Sequence, residues 1–396
     1  MRSARLRTAK LTALVTGLVV AISSCASNAP QDSLDPAGPA ARKIDNLIMP
    51  VFGIAGVVFL FVMGGAVYVA LRFKAKDDTD FNEFPEQVHG NFKLEIGWTI
   101  APALVLLVVG AFTITTIFDL AAKPGDDAIQ VEVYGQQWWW EYRYEVDGDG
   151  DFTDIITAND LVIPAGREIA LNIKSRDVIH SWWAPRLHGK KDAVPGRVHP
   201  LTIEADEPGE YFGQCTEFCG LSHAEMRVKV IALSQQDYDA WVEKMQQPFE
   251  EPADEQADAG WRAFVGQCTM CHEIQGMPDP EEPGSDFEFP LEKDQVANAA
   301  PDLTKLMTRT TFAGAMFDLR NDTDECRALG LDWASTEEGV DECLNRADLE
   351  AWLRDSPGQK FMHAGDVPSP DSRGMPDMGL TEEQIDDFIA FFLTLQ

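Results

Sequence analysis

The chain is short of positive charge. It has 32 lysines and arginines against 65 aspartates and glutamates, and its formal net charge is −33. This balance excludes a nucleic-acid partner, because a phosphate backbone is bound by clustered basic side chains. The acidic residues concentrate in three runs, residues 147–154, 250–258 and 279–292. Such a surface either steers a basic partner or keeps the protein soluble, and the sequence leaves both interpretations open.

Charged residues are absent from two long apolar stretches, residues 47–71 and 96–118. At about 1.5 Å of rise per residue, each stretch exceeds the roughly 30 Å hydrocarbon core of a bilayer. The sequence therefore predicts two transmembrane helices. Four lysines and arginines lie within residues 72–93. The positive-inside rule places that segment in the cytoplasm and places everything after residue 119 outside.

The first 25 residues have a basic start, an apolar run over 11–22 and a cysteine at the end, Cys25. This order is typical of a secretory signal. It is similar to a lipoprotein signal, in which Cys25 becomes the lipidated first residue of the mature protein. The alternative is a buried cysteine in an uncleaved first helix. An exported N-terminus agrees with the predicted orientation of the two helices.

Cysteine is scarce as well, and the seven cysteines fall into separate groups. In one short stretch two thiols, an imidazole and a thioether follow one another: Cys215, Cys219, His223 and Met226. Sulfur ligands with imidazole select copper or zinc, and the thioether favours copper. His180, at the end of a strand-like run, would supply a second imidazole. The alternative, half of a disulfide framework, accounts for any two of these side chains but not for all five.

Short alternating segments separated by turn residues extend from residue 129 to about 233. This pattern predicts an all-β sandwich or barrel, with the ligands at strand ends and in the loop between the last two strands. Residues 248–259 are acidic, contain two prolines and lack periodicity. They are predicted to be a linker.

A third domain begins at about residue 260 and contains the C-x-x-C-H motif of Cys268, Cys271 and His272. In this motif the two thiols attach haem c covalently, and the adjacent histidine becomes the proximal iron ligand. A redox-active or zinc-binding C-x-x-C is the alternative. The exported compartment and predicted helices over 259–266 and 381–395 favour haem.

A methionine opposite the histidine would raise the haem potential into the range useful for electron transfer. Five methionines are available: Met307, Met316, Met362, Met375 and Met378. Met375 is preferred because a proline follows it on a loop just before the last helix. Met362 and Met378 come next.

Two further cysteines, Cys326 and Cys343, are predicted to form a disulfide, because the compartment is oxidising. The bond would close a loop of about 17 residues and contribute roughly 3 kcal/mol on the chain-entropy model. A free thiol pair is the alternative.

At this point the sequence resembles subunit II of a haem-copper cytochrome c oxidase, in the form that carries a fused cytochrome c domain. The resemblance covers nearly the whole chain after the signal segment. It implies a multidomain membrane protein with a two-helix transmembrane hairpin, an all-β cupredoxin-like domain and an all-α cytochrome c domain. The predicted segments are a signal (1–25), an N-terminal segment with the hairpin (26–122), the cupredoxin-like domain (123–247), the linker (248–259) and the cytochrome c domain (260–396).

The resemblance also implies a role for each ligand. Cys215 and Cys219 would bridge the two coppers of a CuA centre, His180 and His223 would each cap one copper, Met226 would bind weakly, and Glu217 would contribute its carbonyl. The carboxylate of Glu217 would additionally reach a magnesium or manganese ion at the interface with subunit I.

Other residues acquire roles by the same resemblance. Trp138, the first of three consecutive tryptophans, would be the electron entry point to CuA, although such a cluster also serves core packing. Glu95 would lie at the mouth of a proton-uptake path, the alternative being an interfacial helix-start glutamate. Lys191, Asp192 and Arg197 would face subunit I.

The function implied is that of an electron-transfer subunit of a respiratory, proton-translocating terminal oxidase in the bacterial cell membrane. Electrons from cytochrome c, or from its own haem c, would pass through CuA to subunit I, which reduces oxygen to water. Other oxidase subunits, membrane lipid and a quinol-oxidising reductase as donor are further implied partners. The CuA and haem c domains would lie on the extracytoplasmic side.

Two alternatives stay open. One is a nitric oxide reductase subunit with the same two centres, and the other is a membrane-anchored copper chaperone or redox sensor. Quinol oxidase subunits are excluded, since those relatives lack the copper ligands.

Overall fold

The computed structural model describes residues 29–74, 89–277, 300–362 and 373–396, together with Gly17. The predicted signal segment with Cys25 and the acidic run 279–292 lie outside the described residues.

The two apolar stretches form the helices Pro39–Arg72 and Phe92–Leu120. Each begins several residues before the predicted span, because polar sequence extends the helix beyond its apolar part. Their large apolar side chains are exposed along most of both helices. Water would disfavour such a surface and a hydrocarbon core would cover it. Both helices are long and apolar enough to cross a membrane.

The start of the first helix is attached to the β domain. The Ala37 N–H donates to the Arg186 carbonyl at 2.8 Å, and the Asp206 N–H donates to the Ala37 carbonyl at 2.9 Å. Arg42, in the first turn, forms an ion pair with Asp206. These backbone contacts orient the β domain relative to the first helix.

Residues 129–233 form ten strands with little helix between them. They are β1 Ile129–Gln136, β2 Trp139–Tyr144, β3 Ile155–Ala158, β4 Asp160–Pro164, β5 Ile169–Ser175, β6 His180–Trp182, β7 Lys191–Ala193, β8 His199–Ile203, β9 Gly209–Gln214 and β10 Arg227–Leu233. One sheet has the order β3-β2-β1-β5-β8, a second has the order β4-β10-β9, and β6 pairs with β7. β1 runs parallel to β5 and β4 runs parallel to β10, while the other pairs are antiparallel. The prediction of an all-β, cupredoxin-like domain is confirmed.

The helix Gln235–Met245 follows β10 and closes this domain. Ser234 caps its start by accepting a hydrogen bond from the Asp237 N–H. The buried side chains of the helix pack into the same core as the strands, and the rings of Tyr144 and Trp241 lie 5.4 Å apart. The sandwich core therefore extends beyond the last strand.

The C-terminal region is mainly helical. Its helices are Glu255–Gln267, Asp324–Ala328, Glu337–Cys343, Arg346–Arg354, Ser356–Gln359 and Glu382–Phe392, and a short hairpin consists of β11 Thr311–Phe312 and β12 Phe317–Asp318. The first and last of these helices pack closely at Gly260, where a Cβ would lie 2.0 Å from the Asp387 carbonyl oxygen. A disulfide joins Cys326 and Cys343. The predicted helical C-terminal region is confirmed, with the small hairpin in addition.

The last five residues of the predicted linker, 255–259, are helical. Asp254 accepts hydrogen bonds from the N–H groups of Gln256 and Ala257, so the helix begins at Glu255 instead of near residue 259. Acidic side chains near a helix N-terminus are stabilised by the helix dipole. The acidic composition that indicated a linker is therefore partly a helix-start signal.

The β domain and the C-terminal domain share a buried polar interface. Asp160, at the start of β4 and 1% exposed, accepts hydrogen bonds from the Thr310 N–H at 2.6 Å, from its hydroxyl at 2.7 Å and from the Thr311 hydroxyl. Glu210 in β9 pairs with Arg320 at 2.8 Å. Buried polar groups of this kind are costly to separate, so the two domains are held in one arrangement.

Candidate metal and haem sites

Residues 215–226, the ligand loop, connect β9 to β10 and are closed by backbone hydrogen bonds. The Cys215 N–H donates to the Met226 carbonyl at 2.9 Å, and the Thr216 N–H donates to the Ser181 carbonyl at 2.9 Å. The second contact attaches the loop to β6, the strand that begins with His180. The sheet framework thus brings the upstream histidine to the loop.

The sulfur and imidazole ligands meet at one point. The ligand atoms of His180, Cys215 and Cys219 all lie within 4.8 Å of one another, and all three residues are buried. The two Sγ atoms are 3.8 Å apart, and Cys219 Sγ is 3.6 Å from His223 Nδ1 and 3.9 Å from Met226 Sδ. This donor set of thiols, imidazoles and a thioether suits copper.

Glu217 is an exposed residue whose backbone carbonyl lies close to a cysteine sulfur. Its carbonyl oxygen lies 3.3 Å from Cys215 Sγ. The residue as a whole is exposed. The carbonyl therefore faces the sulfur cluster, while the exposed residue is accessible to a partner.

His180 is prepared to bind a metal through Nδ1. It is fully buried, and Nδ1 has no hydrogen-bond partner among the described residues. Its Nε2 lies 2.8 Å from Asp177 Oδ1. Asp177 also accepts hydrogen bonds from the N–H groups of Gln137 and Val178, which fix the carboxylate. A carboxylate on one ring nitrogen holds the tautomer that leaves the other nitrogen free for a metal.

The two thiols are not equivalent. Their mutual hydrogen bond lowers the pKa of Cys215 and raises the pKa of Cys219. The physical cause is that a second thiolate would lie 3.8 Å from the first. A bound cation would remove this repulsion, so the pair is suited to a metal that replaces the last proton.

Trp138 packs directly on the ligand loop. Its Nε1 donates to the Cys219 carbonyl at 3.1 Å, and Gln137 donates to the same oxygen at 2.6 Å. A Cβ at Gly220 would lie 3.1 Å from the indole ring, and this residue has a φ of +116°. Glycine is required there because a side chain would be strained and would push Trp138 from the loop.

The motif cysteines and histidine follow the helix Glu255–Gln267 and line a cavity of about 440 Å³. His272 Nδ1 lies 2.7 Å from the Pro301 carbonyl oxygen, so Nε2 is the nitrogen left for a ligand. Burial raises the pKa of the Cys268 thiol to about 12 and raises that of Cys271. A carbonyl on Nδ1 is the outer-shell contact that orients an iron-binding imidazole, so these residues fit haem c.

The structure narrows the choice of methionine for the second iron ligand. Met362, Met375 and Met378 line the cavity, whereas Met307 and Met316 are not among its lining residues. Met375 packs against the C-terminal core, while Met362 packs against the core of the β domain. The packing favours Met375.

The opposite wall of this cavity belongs to the β domain. It includes Gln136, Gln137, Trp138 and Trp139. The cavity is therefore an interdomain cavity, and Trp138 both lines it and contacts the ligand loop. The sequence contained no indication that the two sites share this wall.

Lys360 is a residue of this region that sequence reasoning missed. It lines the interdomain cavity and is only 3% exposed. Its Nζ donates to the carbonyls of Ala313 at 2.7 Å and Trp138 at 2.9 Å. Burial lowers the pKa of Lys360 to about 7. No motif signals such a residue, since its partners are backbone atoms.

Glu95 and Asp192 are not part of either candidate site, and each accepts a hydrogen bond from a nearby residue of its own domain. Glu95 accepts a hydrogen bond from the Asn91 N–H at 3.1 Å, while the Asn91 side chain caps the same helix. This reciprocal contact gives Glu95 a structural role at the helix start. Asp192 accepts from the Ser181 hydroxyl at 2.8 Å, beside His180. Arg197 is exposed and Lys191 is partly buried.

Comparison with known proteins identifies the family. The periplasmic domain of cytochrome c oxidase subunit II matches residues 129–233, and the transmembrane domain of that subunit matches residues 26–116. Cytochrome c oxidase subunit 2 of Alkalihalophilus pseudofirmus is 33% identical over 387 residues, which cover 96% of this chain and 95% of that protein. The corresponding subunit of Bacillus sp. strain PS3 is 30% identical over 384 residues, 92% of this chain and 91% of that protein.

Among solved structures, the periplasmic domain of subunit II of cytochrome oxidase from Bradyrhizobium japonicum is 26% identical. The match covers 32% of this chain and 96% of that one, and its TM-score of 0.28 is too low to bear on the argument. The two nearly full-length relatives decide the assignment. The chain therefore belongs to the cytochrome c oxidase subunit II family and is a membrane-bound electron-transfer subunit of a terminal oxidase.

Proposed function

We propose that this chain passes electrons from a covalently bound haem c, through CuA, to the haem-copper site of another subunit that reduces oxygen to water. The observation that supports this route is the position of Trp138. It forms part of the wall of the interdomain cavity and donates a hydrogen bond to the Cys219 carbonyl at 3.1 Å. One side chain thus touches both sites.

Each site has a defined donor set in this proposal. At the copper site, the thiols of Cys215 and Cys219, the imidazoles of His180 and His223, the thioether of Met226 and the carbonyl of Glu217 would hold the metal. When bound, CuA would supply a one-electron carrier. At the haem site, Cys268 and Cys271 would provide the thioether links, and His272 and Met375 would bind the iron.

The donor of electrons docks on the C-terminal domain in this proposal. Trp138 is only 3% exposed, so an outside protein has little access to it. A soluble cytochrome c or a quinol-oxidising reductase would therefore reduce the haem first. The acidic net charge of −33 favours a basic donor surface at low salt.

Contacts with subunit I belong to the same proposal. The exposed Glu217 carboxylate would reach a magnesium or manganese ion there, and Lys191, Asp192 and Arg197 would face that subunit. Glu95 would take part in proton uptake in addition to capping its helix. Cys25 would carry the lipid anchor. The domain boundaries would be those predicted from the sequence, except that the linker would be shortened to residues 248–254.

The test is to purify the native membrane complex and record its metal content, haem types, optical spectrum and electron paramagnetic resonance spectrum. We expect haem a, haem c and the CuA resonance together. A complex that lacks haem c or the CuA resonance would contradict the proposed route, and a lone subunit without haem a would contradict the oxidase assembly.

A further inference from the structure

One buried lysine lies between the two domains and is a ligand of neither proposed cofactor. Lys360 follows the helix Ser356–Gln359 and is 3% exposed. Its hydrogen-bond acceptors in the described part of the chain are three backbone carbonyls: Ala313 at 2.7 Å, Trp138 at 2.9 Å and Glu225 at 3.5 Å. The first belongs to the C-terminal domain, and the other two belong to the β domain. The amino group therefore links both domains through their main chains.

The residues next to Lys360 in space also contact Trp138 and the ligand loop. At Gly314 a Cβ would lie 2.4 Å from the Trp138 carbonyl oxygen, and its φ is +80°. The Gly314 carbonyl accepts a hydrogen bond from the Arg227 N–H at 3.0 Å, and the Phe361 carbonyl accepts from the Ser222 hydroxyl. The C-terminal domain thus contacts both Trp138 and the ligand loop, and it does so largely through its main chain.

We propose that Lys360 is a positioning residue that seats the C-terminal domain on Trp138 and so sets the separation between the haem site and the copper site. The proposal rests on the proposed function, because it concerns the transfer step between those sites. Its physical basis is geometric. A shift of either domain would leave a buried amino group and buried carbonyls without partners, which is costly, so one docked arrangement is strongly favoured.

A second lysine across the same interface provides a contrast. Lys244 forms an ion pair with Asp332 at 2.6 Å, and the Asp332 side chain is 73% exposed. Exposed ion pairs contribute little, because water competes for both partners. Lys244 is therefore the matched control: it is also a lysine that bridges the two domains, but it lies at the solvated edge and does not contact Trp138 through any hydrogen bond of the structure.

The experiment uses the full-length subunit in the purified oxidase complex. Lys360→Met keeps the side chain to the position of Cε and removes the amino group that donates to the three carbonyls. An added photoreductant is excited by a light pulse and donates one electron to haem c, and the arrival of that electron at CuA is followed by the near-infrared absorbance of that centre. We expect the transfer rate to fall by about tenfold or more, since small misplacements of reacting groups have effects of this order. Lys244→Met should keep the parent rate.

Static spectra separate a positioning role from general damage. In Lys360→Met the haem c optical spectrum and the CuA resonance should equal those of the parent, because no ligand has been changed. Gly314→Ala is the second variant, since its added Cβ presses on Trp138 from the same side. It should slow the transfer step as well, and it decides the question if Lys360→Met does not assemble.

A parent transfer rate in Lys360→Met, or in Gly314→Ala where that variant decides, would overturn the proposal. An equal slowing in Lys244→Met would also overturn it, because the effect would then come from loosening of the interface as a whole. By contrast, absence of haem c or of the CuA resonance from the unmodified complex would overturn the proposed function itself.

Discussion

At the candidate copper site, the binding atoms of His180, Cys215 and Cys219 lie within 4.8 Å of one another, whereas in the C-terminal domain the binding residues line a cavity of about 440 Å³. The candidate copper ligands are held by backbone hydrogen bonds to a sheet and by Asp177, which contacts His180 Nε2. The candidate haem ligands come from loops, and part of the wall belongs to the other domain. A small ion can be held by a preformed cluster, but a large cofactor must be enclosed by several elements.

Because the two sites are built differently, they should respond differently to substitutions. The copper site depends on one domain, and its geometry should survive damage to the haem site. The interdomain cavity depends on two domains, and its shape should respond to changes on either side. Three experiments test this contrast.

The largest effect is expected from removing both thioether links. In Cys268→Ser with Cys271→Ser, covalent haem should be lost, because thioether formation needs the two thiols. Haem staining of the denatured subunit should then be negative, and turnover with the physiological donor should be abolished. The CuA resonance should remain, since its ligands lie in the β domain. Loss of that resonance as well would show that the copper site is not independent, and the contrast would fail.

An intermediate effect is expected at the distal methionine. Met375→Ala should abolish the weak near-infrared sulfur-to-iron band of oxidised haem c and lower its midpoint potential, because a thioether ligand raises that potential. Met362→Ala is the matched control, since Met362 lines the same cavity but packs against the β domain. If the band persists in Met375→Ala and disappears in Met362→Ala, the assignment of the ligand is wrong.

The smallest effect is expected at Asp177, which contacts the proposed copper ligand His180. Asp177→Asn keeps the shape of the side chain but weakens its hold on His180 Nε2, and changes of this kind typically cost about 10- to 100-fold in metal affinity. Competition with a copper chelator measures that affinity. Asp206→Asn, in the same domain and paired with Arg42, serves as control and should not change it. An unchanged affinity in Asp177→Asn would mean that the loop alone fixes the imidazole.

Much of the fold could be predicted because its signals are local. Apolar length indicated the two membrane helices, and alternation over 129–233 indicated the β domain. The acidic segment before the C-terminal domain was less clear, since the same acidic side chains serve a linker and a helix start. Asp254 caps a helix there, so composition alone could not place the boundary.

The contacts that join the domains had no local signal in the sequence. Asp160 meets Thr310 across 150 positions of sequence, and an aspartate before a strand has no feature that marks a distant partner. The burial of Trp138 likewise depends on how two separately predictable domains dock. Docking is decided by shape and by pairing of polar groups over the whole interface, which no short motif contains.

The sequence by itself determined the chemistry of this protein. Five of the proposed copper ligands lie within residues 215–226 and the proposed haem attachment residues within 268–272, because a covalent chain brings near neighbours together whatever the rest of the fold does. Only the tertiary structure decided where these two sites lie relative to each other. That arrangement depends on Lys360, Gly314 and Trp138, whose contacts use backbone carbonyls that are the same in every residue and therefore leave no trace in the sequence.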